Sequence, residues 1–220
     1  MKKPMVCYVT DRRALANPSG ASPIDLLVES IAQAVRAGID FIHVREKDLD
    51  GRPLFELAGK AIAACAAASP PGGSPARILI NDRLDVAWAA RASGVHLGEN
   101  SIPVDEAVAW RNRNGRADFL VGRSCHSVES AGQAAAAGAD YLCFGPVFAT
   151  PSKATFGPPQ GLWKLKEVCR GVSIPVLAIG GITAENAASC LQAGAAGIAA
   201  IRLLQQDPDR VAAALARILA

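Results

Sequence analysis

Short apolar runs alternate with longer stretches of helical spacing about eight times along this chain, and this alternation limits the fold more than any other feature. The run Val176-Leu177-Ala178-Ile179 has no polar residue to turn toward water. That suits a strand covered on both faces, as in a parallel sheet. Further strands are predicted at Met5 to Thr10, Ile39 to Val44, Arg77 to Ile80, Gly94 to Leu97, Asp118 to Gly122, Tyr141 to Phe144 and Gly197 to Ile201. Between them, apolar residues recur every three or four positions, as from Ile24 to Ala37. Ala-Gly breaks stand just before strands in Ala37-Gly38-Ile39-Asp40, Ala137-Gly138-Ala139-Asp140 and Ala193-Gly194-Ala195-Ala196, where a glycine closes the preceding helix. Eight such units imply an α/β chain closed into a single (β/α)8 TIM barrel over residues 1–220. A doubly wound open sheet is the alternative. It calls for Gly-x-Gly-x-x-Gly after the first strand, and none follows it.

Composition narrows the function classes. Half the residues are hydrophobic but only 5% aromatic, so the core must be built from Ala, Val, Ile and Leu. A formal net charge of +3 is too small to argue for nucleic acid. No apolar run is long enough to span a bilayer, and Met1-Lys2-Lys3 leads straight into a strand, so a cytoplasmic protein is expected. The six cysteines include no Cys-x-x-Cys pair, which argues for free thiols and against zinc.

In a barrel of this kind the chemistry gathers at the C-terminal ends of the strands. His43, His96 and His126 all fall near predicted strand ends. His126 is the first candidate for proton transfer, because it follows the fifth strand in a polar loop between Ser124 and Ser127, and imidazole titrates near neutrality. His43 is the second. Arg45 and Lys47 alternate with Glu46, so both cations point one way off the second strand. The loop after the sixth strand offers Thr150, Ser152 and Lys153. With Gly180-Gly181, followed by Thr183 as helix N-cap, these residues compose a phosphate site of hydroxyls, a lysine and bare backbone N–H groups. Asn81-Asp82 is either an oxygen site for magnesium or, through Asp82, the N-cap of the next helix.

Tyr8-Val9-Thr10-Asp11, His43-Val44-Arg45-Glu46-Lys47, Asn81-Asp82-Arg83-Leu84-Asp85-Val86-Ala87, Gly94-Val95-His96-Leu97-Gly98, Gly145 to Lys153 and Ala178-Ile179-Gly180-Gly181-Ile182 together resemble the thiamine phosphate synthase and TenI superfamily. The resemblance runs in order over nearly the whole chain. It implies a barrel that handles a thiazole phosphate, with substrate contacts at Arg45, Lys47, Asn81, Thr150, Ser152, Lys153, Gly180, Gly181, Ile201 and Arg202, and any metal at Asp82. Synthases of the superfamily carry Gln where this chain has His43, Gln where it has Glu99, and a second metal-binding Asp where it has Ser101. Arg202 stands where the family often has Ser.

Those departures favour a TenI-type thiazole tautomerase, an isomerase of thiamine biosynthesis that needs no cofactor, with His126 as general acid and base. The alternative is thiamine phosphate synthase, a magnesium-dependent transferase that joins a pyrimidine diphosphate to the thiazole phosphate, with Glu99 replacing the missing ligand. A second alternative is a non-catalytic regulator that binds a thiamine intermediate. The expected partner is a small-molecule phosphate, with neither nucleic acid nor membrane, and the sequence leaves a homo-oligomer open.

Overall fold

In the computed structural model, which describes residues 3–17, 20–73, 75–150, 158–206 and 208–219, the apolar runs form eight parallel strands closed in sequence order. The strands are β1 (Met5–Val9), β2 (Phe41–Val44), β3 (Arg77–Asn81), β4 (Gly94–Leu97), β5 (Leu120–Cys125), β6 (Tyr141–Phe144), β7 (Val176–Ile179) and β8 (Gly197–Ala200). The helices that follow them are α1 (Pro23–Arg36), α2 (Gly51–Ala68), α3 (Leu84–Ala89), α4 (Val104–Arg113), α5 (Val128–Ala136), α6 (Gly161–Gly171), α7 (Ala187–Gln192) and α8 (Pro208–Leu219). This is the (β/α)8 barrel, and the open-sheet alternative is excluded by the pairing of β8 with β1.

Side chains alternate across each strand, and the two faces feed two separate cores. On β1, Val6 and Tyr8 join the large cluster between barrel and helices, where the Tyr8 hydroxyl meets Ser30 of α1 at 3.1 Å. Cys7 and Val9 instead join a smaller cluster with Leu79, Tyr141, Cys143, Leu177 and Ala199, which fills the barrel interior. Space inside is tight. A Cβ on Gly122 would stand 2.1 Å from the Tyr141 ring, so this glycine gives the phenol its place.

The Ala-Gly-x-Asp breaks carry a repeated device. Asp40 accepts from the Val6 backbone N–H at 3.0 Å and Asp140 from that of Val121 at 2.7 Å. Each carboxylate thus ties its own strand to the start of the preceding one. Two local expectations are corrected. The helix expected directly after Thr183 begins at Ala187, because Thr183 and Asn186 satisfy each other's backbone N–H groups at 2.8 and 3.3 Å in a turn. Asp82 does not cap α3, whose first turn follows Arg83. Its carboxylate is turned toward Gly98 and Ser101.

Closure has a steric requirement that can be tested. At the seam, Gly197 pairs with Met5, and a Cβ there would lie 2.0 Å from the Met5 carbonyl oxygen. Gly197→Ala should therefore cost about 1–3 kcal/mol or more, read as a lower urea midpoint. Gly59→Ala on the exposed face of α2, where an added Cβ meets nothing within 4 Å, should instead stabilise by about 0.5–1 kcal/mol. Equal responses would contradict the seam account.

Candidate active site

The end of β2 is anchored by one buried carboxylate. Glu46 accepts from the Thr10 hydroxyl at 2.6 Å and from Arg12 Nη1 at 2.8 Å. Thr10 Oγ1 in turn accepts from the Arg45 backbone N–H at 3.0 Å. Arg12 also grips both oxygens of Asp48, with Nη1 at 2.7 Å from Oδ1. That bond to Arg12 holds the Asp48 carboxyl well below the usual carboxylate range. With Glu46 turned back into this clamp, Arg45 is left half-buried and Lys47 exposed.

Asp82 sits just past β3 in the left-handed backbone region, at φ 59°. A side chain other than glycine is uncommon there, although Asp tolerates it better than most. Its Oδ1 accepts from the Gly98 N–H at 3.0 Å and from the Ser101 hydroxyl, and its Oδ2 accepts from Asn81 Nδ2 at 2.6 Å. Partial burial pushes the Asp82 pKa up. The Ser101 and Gly98 hydrogen bonds, the positive charge of Lys47 and the Asn81 amide outweigh it, so the net direction is down and the group is an anion at neutral pH.

A carboxylate offers about four lone-pair positions, of which these three donors use all but one. A hard cation that keeps waters and takes most of its oxygens from a phosphate substrate fits such a place, with Asp82 and the Ser101 oxygen beside it. No group of three or more His, Cys, Asp or Glu that could hold a metal occurs among the described residues. The stretch 151–157, outside them, contains none of these residue types.

The histidines divide. His43 and His96 are not at the mouth but inside the barrel, 4% and 1% exposed, with ring centroids 4.4 Å apart. His43 Nε2 is 3.1 Å from Asn81 Oδ1. His96 Nδ1 meets the Tyr141 hydroxyl at 2.7 Å and its Nε2 meets Ser124 Oγ at 2.8 Å. Burial pushes His96 down to about 4 and His43 well below its ordinary 6.5, so both rings are neutral. His126, by contrast, follows β5 directly and is half-buried. Its Nδ1 bonds the Gly145 carbonyl at the end of β6. A carbonyl only accepts, so Nδ1 carries a hydrogen and Nε2 is the ring nitrogen left for another partner.

Across the mouth lie the two glycines. Gly180 and Gly181 have φ of 93° and 66°, and the loop after β6 crosses them closely. A Cβ would stand 2.5 Å from Pro146 at the first and 2.6 Å from the Ala149 carbonyl at the second. Backbone bonds from Val147 to Ile179 at 2.9 Å and from Phe148 to Gly180 at 3.0 Å fix this crossing. It carries Thr150 toward the end of β8, where Arg202, just after Ile201, donates to the Thr150 hydroxyl at 3.3 Å. Ser152 and Lys153 lie outside the described residues. The expected helix dipole behind Gly-Gly is displaced, since α7 starts six residues after Gly181.

Sequence reasoning passed over Ser124 as a small neighbour of His126, and took Ser101 for a lost ligand. Parity would have found the first, because Gly122, Ser124 and His126 share the inner face that begins at Leu120. The resemblance puts residue 101 at the same metal position as Asp82, but nothing in the sequence shows that a serine there bonds the carboxylate itself.

Fold and mouth together define a class: a closed parallel barrel whose strand ends pair an ionised, part-buried aspartate with cations on one side and a glycine-rich turn with an arginine on the other. Within that class the chain belongs to the TMP-TENI family, described as thiamine monophosphate synthase, whose model matches residues 9–204. It is 42% identical over 209 residues to the thiamine-phosphate synthase of Roseiflexus castenholzii, covering 95% of this chain and 84% of that one. It is 46% identical over 181 residues to that of Methanoculleus marisnigri, covering 82% and 81%. The thiamine phosphate pyrophosphorylase of Pyrococcus furiosus superposes with a TM-score of 0.78 at 30% identity, over 98% of this chain and 97% of that one.

These relatives overturn the tautomerase expectation, which rested on His43 and Ser101. The physical reason for the error is spatial. Both residues join one hydrogen-bonded group with Asn81 and Asp82, so they modify the surroundings of the carboxylate and do not mark a different reaction.

The buried imidazoles give a pH prediction. Unfolding lets His96 bind a proton below about pH 6.5, whereas in the fold it binds one only near 4. Stability should therefore be full above 6.5 and fall as the pH drops from 6.5 toward 4, by on the order of 1.4 kcal/mol per unit for each such group. Urea midpoints at pH 7 and pH 5 would measure it. His96→Gln should flatten the slope, and a wild-type midpoint that does not move would contradict neutral buried rings.

Proposed function

We propose that this chain is a thiamine-phosphate synthase, which joins a pyrimidine diphosphate to a thiazole phosphate and releases diphosphate. The names and identities of its relatives support the reading. The observation that carries it is the Asp82 carboxylate, held as an anion in a left-handed turn beside Lys47 with one lone-pair position left. In this reaction a C–O bond to the diphosphate breaks, a C–N bond to the thiazole forms, and the diphosphate leaves with the electron pair. No redox partner is needed, so the protein has to orient two phosphorylated molecules and neutralise the departing charge.

We assign the diphosphate to the side of Arg45, Lys47, Asn81 and Ser124, and the thiazole phosphate to Thr150, Ser152, Lys153, the Gly180-Gly181 amides, Ile201 and Arg202. Arg202 already reaches this second group through Thr150, which suits a guanidinium that shares a phosphate with a hydroxyl. Magnesium, held by Asp82 and the Ser101 oxygen, would supply positive charge to the leaving diphosphate. His126, held at Nδ1 by the Gly145 carbonyl, has Nε2 left to bond a substrate group or an ordered water. We place the enzyme in the cytoplasm, where its six free thiols suit a reducing compartment.

The test is direct assay of thiamine phosphate from the two substrates, with each component left out in turn. Formation should require magnesium and stop with chelator, and Asp82→Ala should lower kcat/KM by about 10²-fold, the scale of one lost charge-assisted bond. Full turnover without a divalent ion would rule the reading out. A second variant tests the one-carboxylate site. Ser101→Asp should let the protein bind Mn²⁺ in titration calorimetry without diphosphate, where the native chain should bind it weakly. An unchanged affinity would remove residue 101 from the metal's surroundings.

A further inference from the structure

Three side chains form a line of hydrogen bonds inside the barrel. The Tyr141 hydroxyl on β6 meets His96 Nδ1 on β4 at 2.7 Å, and His96 Nε2 meets the Ser124 hydroxyl on β5 at 2.8 Å. The phenol end fixes the polarity of the whole line. Tyr141 is buried, its ring seated against Gly122, and His96 is its one hydrogen-bond partner among the described residues. Burial holds its pKa well above the usual phenol range, so the oxygen keeps its hydrogen. If the imidazole donated from Nδ1, that phenol hydrogen would be buried without an acceptor, which is costly and rare. Tyr141 is therefore the donor and Nδ1 the acceptor.

The other end follows from this. An Nδ1 that accepts has no hydrogen of its own, so the ring hydrogen stands on Nε2 and is donated to Ser124 Oγ. The hydrogen of the serine is thereby turned away from His96. It finds no acceptor among the described residues, and Ser124 stands half-buried near the end of β5. Across the sheet His96 pairs with Asn81, so this hydroxyl belongs to the Asp82 side of the mouth.

We propose that Tyr141 and His96 are positioning residues: together they hold Ser124 as a hydrogen-bond donor to the diphosphate. This rests on the synthase reading and deepens it by giving a physical reason for the ligand on that side. An ionised diphosphate has oxygens that accept and no hydrogen to give, whereas a serine free to rotate serves donors and acceptors alike. As the C–O bond breaks, charge grows on the departing oxygens, and a donor already aimed at them needs no reorganisation. No proton passes along the line, and the diphosphate leaves with the electron pair.

The first arm of the test reads the tautomer. The sequence holds three histidines, so proton–nitrogen correlation spectra of protein made with isotope-labelled histidine identify each ring. Comparison with His126→Gln, and with either His43→Gln or His96→Gln, assigns His96. At neutral pH its hydrogen should be found on Nε2. A hydrogen on Nδ1, or on both nitrogens, would overturn the proposal.

The second arm is a double-mutant cycle, read on the Kd of inorganic diphosphate with magnesium by titration calorimetry and on kcat/KM of thiamine phosphate formation. Ser124→Ala should lower kcat/KM by about 10²-fold, the scale of one donor lost at a developing anion. Tyr141→Phe keeps the ring but frees the imidazole to take its other tautomer, and should weaken diphosphate binding and kcat/KM by about three- to tenfold. On the Ser124→Ala background the same change should stay within about twofold, because the serine through which it acts is gone. Additive losses in the double variant, or wild-type binding and turnover in Tyr141→Phe, would overturn the proposal. Should Tyr141→Phe fail to fold, the tautomer of the native protein decides. The expected tautomer and coupling on diphosphate binding, without any thiamine phosphate formation, would instead count against the synthase reading alone.

Discussion

Closure of the sheet is the constraint on which everything else in this molecule rests. A parallel strand left at an edge would expose a row of unpaired N–H and C=O groups, and pairing β8 with β1 removes both edges at once. The pairing is possible only because Gly197 lets the Met5 carbonyl approach. Once the ring is closed, all strand ends converge at one mouth. Gln205, which follows β8, then donates to the carbonyl of Asp11 after β1 at 2.8 Å, while pairing along the sheet brings Ser101 to Asp82 and Arg202 to Thr150. The polar groups need no long-range affinity for one another, because the barrel brings them together.

The mouth is organised by electrostatics into two sides. On one, Glu46 is taken up by Thr10 and Arg12, so Arg45 and Lys47 are left at the end of β2, and the charge of Lys47 favours the anionic form of Asp82. On the other, two left-handed glycines and a crossing loop leave backbone where side chains would collide, with Arg202 above. A reaction between two phosphorylated molecules needs such a division. Each anion must be held by its own cations, and the bond-forming ends must meet between them.

Much of this was legible in the sequence, for physical reasons. Apolar runs of only four or five residues without alternation, set between helical stretches, suit strands covered on both faces, so Tyr141–Phe144 was bounded as the structure has it. The Ala-Gly-x-Asp breaks were legible as helix ends, though not the bonds from Asp40 and Asp140 to the neighbouring strand. Strand parity put Arg45 and Lys47 on one face. It could not tell depth: His43 and His96 share the inward face but lie below the mouth, where burial keeps them neutral. Bonds between the loops that follow neighbouring strands were invisible as well. Ser101 read as a missing carboxylate and led to the wrong reaction, whereas in space its hydroxyl is bonded to the carboxylate that remains.

The central claim is that the two sides of the mouth hold different anions, with the metal on the Asp82 side. Crystals grown with Mn²⁺ and diphosphate, measured for anomalous scattering at the manganese edge, test it most directly. The account predicts one manganese peak beside the Asp82 carboxylate, with diphosphate toward Arg45 and Lys47 and none at Gly180-Gly181. A manganese peak away from Asp82, or diphosphate seated only on the glycine turn, would contradict it.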